Sequence, residues 1–275
     1  MKLSIVIPCR DDAQVVACAR SIDAPAEIVI ALNGSTPTFV DALRRTLGDR
    51  VRLELLPRPN RSLAAERGIA TASHDSVLLM DSDCVFTPGS IAAIDSALAA
   101  GDGDAEVFKG DIAFDCGATR LSALVARSRQ RRMAGRLNAY KPPLAFSRRL
   151  RARLGGHFFD ARLPWKEDAD LDYRVRRAGI RIVPVPECLI RHAALSPLAD
   201  LRSSFLYGVG AAIARHHTVP MHPPERSVLH SFERDGAEAA VYLVVSNGAR
   251  AAGVAYGHAR IRWSGGTWLD ELAAR

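Results

Sequence analysis

The chain has 275 residues, 48% of them hydrophobic and 24% charged, with a formal net charge of +7. That length is enough for one large buried core, or one domain plus an appendage, and the composition excludes a disordered or fibrous chain. Cys9, Cys18, Cys84, Cys116 and Cys188 are odd in number and widely spaced with no C-x-x-C. This argues for reduced thiols in a cytoplasmic protein and against a disulfide frame or a zinc site.

The first run, Leu3–Pro8, is apolar and β-branched, and it lacks the charged start and the length of a signal peptide. Similar short runs follow at Glu27–Leu32, Val51–Leu56 and Ser76–Met80, and each is predicted to be a buried strand. Helix-like segments lie between them at Ala13–Ser21, Thr38–Leu47 and Leu63–Ala72. The alternation predicts an α/β fold with a mostly parallel central sheet and helices on both faces. Thr87-Pro88 reads as an N-cap and first-turn proline opening a helix over Gly89–Ala100.

Further along, Ala105–Phe114 reads as a strand and Leu121–Leu137 as a basic amphipathic helix. Asp168–Ala178 reads as a helix stopped by Gly179. Arg181–Pro184 and Cys188–His192 read as two short strands parted by Pro184 and Pro186, and Leu198–His217 as a second amphipathic helix. The late apolar stretch Ala237–Tyr256 is interrupted by Glu238, Asn247, Gly248 and Arg250, which argues against a bilayer span.

The charge is unevenly spread. Arg120 to Arg162 holds twelve Lys or Arg against the single acid Asp160, a local balance of +11 that leaves −4 for the rest. Such a stretch suits an anionic acceptor or the headgroups of a membrane surface, and otherwise a solvated helical face. It carries few aromatics and no reader motif, so nucleic acid is not an expected partner.

In parallel sheets, ligands sit beyond the carboxyl ends of the strands. The polar sets just after the four predicted strands are Cys9-Arg10-Asp11-Asp12, Asn33-Gly34-Ser35, Arg58-Pro59-Asn60-Arg61 and Asp81-Ser82-Asp83. Asp81 and Asp83, two apart, point the same way in a strand continuation, and together can hold a hard divalent cation such as Mn2+ or Mg2+ that neutralises a diphosphate. A polar turn offers the same pattern when it stands alone. Glu167 and Asp168 open a helix, where the dipole favours carboxylates and where Asp168 can also serve as a general base. His192 ends an apolar run and can complete a shell of carboxylates and phosphate oxygens around a metal.

Order and spacing together carry a resemblance. S-I-V-I-P-C-R-D-D at Ser4–Asp12, N-G-S-T at Asn33–Thr36, L-A-A-E-R-G-I-A at Leu63–Ala70, L-L-M-D-S-D-C-V-F-T-P-G at Leu78–Gly89, G-G-H-F-F-D at Gly155–Asp160 and W-K-E-D-A-D-L-D-Y-R at Trp165–Arg174 occur in that order. The sequence resembles the family-2 glycosyltransferases of the GT-A fold over about residues 3–215. The resemblance implies a domain at 1–215, with a nucleotide-sugar half at 1–115 and an acceptor-side half at 116–215, followed by a helical C-terminal extension at 216–275.

It also implies roles. Pro8, Arg10, Asp12 and Asn33 fall in the nucleotide pocket, Asp81 faces the ribose and donor sugar, and Arg61 and Ser82 belong to the same donor edge. Asp83 binds the metal, Mn2+ or Mg2+, with His192 as a further ligand, and Asp168 is the base of an inverting displacement. His157, Trp165 and Glu167 fall on the acceptor side. The implied reaction moves a sugar from a nucleotide-diphosphate donor, UDP first among them, to an acceptor hydroxyl.

Many relatives carry a carboxylate in place of Asn33 and A-R-N-x-G in place of Ala64-Ala65-Glu66-Arg67-Gly68, which bears on the choice of nucleotide. Two other expectations compete: a nucleotidyltransferase on a related sheet, which calls for a glycine-rich loop where this chain has Pro8-Cys9-Arg10-Asp11-Asp12, and a non-catalytic nucleotide-sugar-binding module, which would not require both Asp83 and Asp168.

Overall fold

The computed structural model describes residues 2–133, 137–220 and 237–274. Eight strands form one sheet: β1 (Leu3–Cys9), β2 (Glu27–Asn33), β3 (Arg52–Leu56), β4 (Ser76–Leu79), β5 (Cys84–Phe86), β6 (Glu106–Phe114), β7 (Leu144–Ser147) and β8 (Arg181–His192). They lie in the order β3-β2-β1-β4-β7-β6-β8-β5. The first four are mutually parallel, while β7 runs antiparallel to both β4 and β6. The sheet is therefore mixed: its amino-terminal half is parallel, and β7 joins it to the rest.

β1 is buried at every position because both faces are covered. Ile5 and Ile7 pack in one apolar layer with Val15, Val40 and Leu43 of the helices α1 (Val15–Arg20) and α2 (Pro37–Leu47). Val6 packs in the opposite layer with Ile69 of α3 (Arg61–Thr71) and with Phe146, Leu171 and Val175. The last two belong to α6 (Glu167–Arg177), which follows α4 (Ser90–Ala100) and α5 (Arg120–Met133) in the chain.

Three expectations need correction, and two short strands have no counterpart among the expected elements. The α4 N-cap is Gly89, with φ 82°, rather than Thr87. Thr87 is occupied elsewhere: its backbone N–H and Oγ1 both donate to the Leu189 carbonyl, at 3.1 and 3.0 Å. Arg181–His192 is one strand rather than two, and the irregularity expected from its prolines is absorbed by a register shift opposite Gly110 and Asp111. The short strands β5 and β7 carry no periodicity of their own, and their pairing defines them. The basic helix is described as far as Met133, residues 134–136 fall outside the described residues, and Leu137 lies outside any helix.

Beyond the sheet, α7 (Pro197–His216) packs along α8 (Ala237–Trp263), which is followed by α9 (Thr267–Ala274). The contact is backbone to backbone. A Cβ at Gly208 would strike the Arg250 carbonyl, and one at Gly253 would strike the Phe205 carbonyl. No described helix is long and apolar enough to cross a membrane. No disulfide forms among the described residues, where Cys9, Cys18, Cys84 and Cys188 are buried free thiols and Cys116 is exposed.

Candidate active site

The parallel strands deliver four loops to one edge. Asp11, at the end of β1, accepts from the Thr36 backbone N–H at 2.9 Å and Oγ1 at 3.1 Å, tying the first loop to the second. Asp12 accepts from Ser82 Oγ at 2.7 Å, tying the first loop to the segment after β4. Asn33 Oδ1 accepts from the Asn60 backbone N–H, and Asn60 caps α3 by accepting from Leu63 N–H at 2.9 Å. Asn33 thus fixes the start of the helix that carries Arg61. Pro8 is buried at the strand end and Arg10 is exposed beside it.

Arg61 is the centre of the charge network. Its Nη2 donates to both carboxylate oxygens of Asp81 at 3.1 Å, and its Nε lies 3.5 Å from Glu167 Oε1. Lys141, its side chain fully buried, reaches the same Glu167 oxygen at 3.2 Å. Burial pushes the Asp81 carboxyl up, but Arg61, Lys141 and His192 outweigh it and hold the group below its usual range.

Asp168 follows directly. Lys166 precedes the helix with φ 76°, a left-handed conformation that non-glycine residues adopt rarely, and this sets the entry of Glu167 and Asp168. Glu167 is consumed by its two cations. Asp168 Oδ1 is buried with no hydrogen-bond partner among the described residues. Burial pushes the Asp168 carboxyl up to about 7, with Lys141 and Arg61 opposing the rise and Glu167 and Asp81 adding to it.

On the other side of Asp81, Asp83 Oδ2 lies 3.4 Å from His192 Nε2. His192 Nδ1 lies 2.8 Å from the Ala193 carbonyl. As donor to that oxygen, Nδ1 carries the proton and leaves the Nε2 lone pair facing Asp83. The imidazole also stacks on Phe114, with ring centroids 5.0 Å apart. A carboxylate beside a free imidazole nitrogen whose other nitrogen donates to a carbonyl is the donor set of a divalent metal site. Cys84 Sγ belongs to the same group, its ligand atoms all within 4.8 Å of one another. Burial first, then Asp81 and Asp83, push the Cys84 thiol far up, and a soft sulfur is a poor partner for a hard cation. Asp83 and His192 therefore fit Mn2+ or Mg2+.

The remaining acceptor-side residues are dispersed. Trp165 packs against the apolar cluster of Leu163, Val209 and Ile213, and its backbone passes so close to Gly210 that a Cβ there would lie 2.7 Å from the Trp165 oxygen. His157 lines a different pocket, one that none of Asp81, Asp83, Asp168 or His192 lines.

Lys141 is the residue that sequence reasoning missed. It is held by Lys109 of β6, whose Nζ donates to the carbonyls of Tyr140 at 2.7 Å and Pro142 at 2.8 Å. Burial pushes the Lys109 ammonium down to about 8. The only signal in the sequence is a lone lysine before Pro142-Pro143, which points to nothing without the fold.

Residues 2–205 match the family model described as glycosyltransferase like family 2. The chain belongs to this family. It is a glycosyltransferase, and its solved structural neighbours share the fold. The mannosyltransferase PcManGT from Pyrobaculum calidifontis, in complex with GDP-Man and Mn2+, superposes with a TM-score of 0.56 at 18% identity, covering 99% of this chain and 86% of that one. S. aureus TarS 1-349 gives 0.52 at 15% identity over 92% of this chain and 81% of that one. GalNAc-T7 with UDP, GalNAc and Mn2+ gives 0.53 at 16% identity over 86% of this chain and 54% of that one. At these identities the likeness is one of fold. No curated protein sequence matches the chain.

Proposed function

We propose that this glycosyltransferase transfers a sugar from a nucleoside-diphosphate donor, UDP before GDP, to an acceptor hydroxyl with inversion at the anomeric carbon. The observation that carries the mechanism is the buried Asp168 Oδ1, unpartnered among the described residues, in the same charge network as Asp81. A carboxylate in that state accepts a proton readily, and direct displacement needs one such base. Asp168 takes the acceptor hydroxyl proton as the oxygen attacks.

Asp83 and His192 would hold the divalent cation, which supplies charge neutralisation to the diphosphate leaving group. Arg61 orients Asp81 toward the donor and fixes Glu167, leaving Asp168 free. Asp12 and Ser82, bonded to each other, and Pro8, Arg10 and Asn33 at the strand ends supply the walls for the base and ribose. The Mn2+ named with PcManGT and GalNAc-T7 supports the cation, and the UDP named with GalNAc-T7 and the UDP-GlcNAc named with TarS support UDP.

Thermal unfolding with a panel of nucleoside diphosphates, with and without Mn2+, tests the donor site. A ligand at 100 times its dissociation constant adds about 2.7 kcal/mol, enough to raise the midpoint by about 5 °C. A metal-dependent shift with UDP supports the reading, and no shift with any nucleotide rejects it.

A further inference from the structure

A pocket of about 580 Å³ opens on the far side of α6, between that helix, the 153–162 segment and the end of α7. It is separate from the donor edge, although both use α6. Asp168 lies in the first turn of the helix and Arg177 ends it. Nine residues at about 1.5 Å each place them about 13 Å apart along the axis.

The lining is basic. Arg153, Arg162, Arg174 and Arg177 face two carboxylates, Asp160 and Asp170. Both carboxylates are already occupied. Arg162 clasps Asp160 with Nε at 3.0 Å and Nη2 at 2.6 Å, and Arg174 clasps Asp170 at 2.9 and 2.7 Å. Among the described residues two guanidinium groups are left without an acid. Arg153 donates to the carbonyls of Asp104 and Ala178, and Arg177 has no ionic or hydrogen-bonded partner among the described residues. His157 and His217 complete the wall. Burial first, then the Arg162 cation, hold His217 below its usual range, as expected where the local potential is positive.

We propose that this pocket is a second ligand site, separate from the donor site, that binds a phosphate-bearing small molecule or group. The volume suits a small ligand. Guanidinium forks match phosphate oxygens in pairs, and an accessible cationic wall with its carboxylates already neutralised offers an anion more than it offers any cation or neutral sugar. The phosphate comes either from a free anion or from a lipid headgroup reached at the pocket mouth.

The test uses the full chain in EDTA, so that no divalent metal assists the donor edge. Inorganic pyrophosphate is titrated calorimetrically, and vesicles containing phosphatidylglycerol are used in co-sedimentation. Loss of one charge-assisted contact should weaken pyrophosphate binding about tenfold in Arg177→Gln and again in Arg153→Gln. Asp83→Ala and Arg45→Gln, the latter a surface change on α2, should bind as the parent does. Pyrophosphate binding that depends on Arg177 establishes a free-anion site, and vesicle binding that depends on Arg177 without pyrophosphate binding establishes a headgroup site. The proposal is overturned if neither probe binds, if Arg177→Gln and Arg153→Gln bind like the parent, or if Asp83→Ala strengthens binding, since losing a carboxylate that repels the anion matters only if the anion sits at the donor edge. Because metal is absent throughout, the result is independent of any nucleotide shift with Mn2+.

Discussion

Asp83 Oδ2 and His192 Nε2 face each other at 3.4 Å, and backbone pairing sets that distance. Cys84 of β5 stands opposite His192 of β8, and the Ala193 N–H donates to the Asp83 carbonyl at 2.9 Å. His192 ends β8 and Asp83 lies in the turn directly before β5, so strand pairing anchors both. Removing an outer partner of a metal ligand typically costs about 10–100-fold in affinity, so loss of a ligand itself in His192→Ala should weaken Mn2+ binding at least about tenfold. Asp83→Ala should abolish metal-dependent nucleotide binding. Calorimetric titration of Mn2+ in the presence of UDP checks both. Unchanged Mn2+ affinity in His192→Ala would remove the histidine from the metal site.

Asp168→Asn keeps the shape of the side chain and removes its basicity. Donor and metal binding should persist, while the transfer rate falls by about 10²–10⁴. Donor hydrolysis or transfer to a working acceptor, read beside nucleotide binding, separates the two effects. Normal turnover by Asp168→Asn would exclude it as the base.

The pH dependence follows from the same group. Its carboxyl is raised from the ordinary 3.8 to about 7, burial being the largest cause. Only the ionised form is a base, so the rate should climb as pH rises through about 7 and level off above it. The stability effect has the opposite sense. Between pH 4 and 7 the folded state binds the proton that the unfolded state has released, so this group's contribution to stability declines as pH rises. Asp168→Asn should therefore unfold at a higher temperature than the parent at pH 8. Lys141 is the strongest influence holding the Asp168 carboxyl down, so Lys141→Met should move the acid limb of the rate profile to higher pH. An acid limb that stays in place in Lys141→Met would show that the lysine does not set it.

The parts of this site visible in the sequence are those built from short contiguous motifs. Asp81 and Asp83 follow a buried run, Asp168 opens a helix, and β1 reads as a strand because both of its faces are covered. Lys141 was invisible because its position depends on β7, four residues inserted antiparallel between β4 and β6 with no period to reveal them. His157 sits in a conspicuous G-G-H-F-F motif, yet its place is decided by which side of α6 the preceding loop takes. Arg174 settles that side by donating to the carbonyls of Leu154, His157 and Phe158 at 2.8, 2.8 and 2.6 Å.

The basic stretch gives the last prediction, because the fold uses much of its charge internally. Arg149 pairs with Asp75 at 3.0 Å, Arg151 with Glu66 at 2.6 Å and Arg162 with Asp160 at 2.6 Å. Arg129 goes furthest inward. Its Nε meets Asp200 Oδ1 at 2.5 Å, and Tyr242 donates to the other oxygen of that carboxylate at 2.5 Å. These three residues come from α5, α7 and α8, and Asp200 is fully buried. Removing one partner of a buried pair leaves the other charge uncompensated, at a cost of about 3–5 kcal/mol. Arg129→Gln should thus lower stability by about that amount in urea unfolding, and Tyr242→Phe by about 1–3 kcal/mol. Replacing both charges together, in Arg129→Met with Asp200→Leu, should recover much of the loss, since a buried pair and an apolar pair of similar volume are often close in stability. If Arg129→Gln proves as stable as the parent, the arginine is a surface group and is free to serve an anionic acceptor instead.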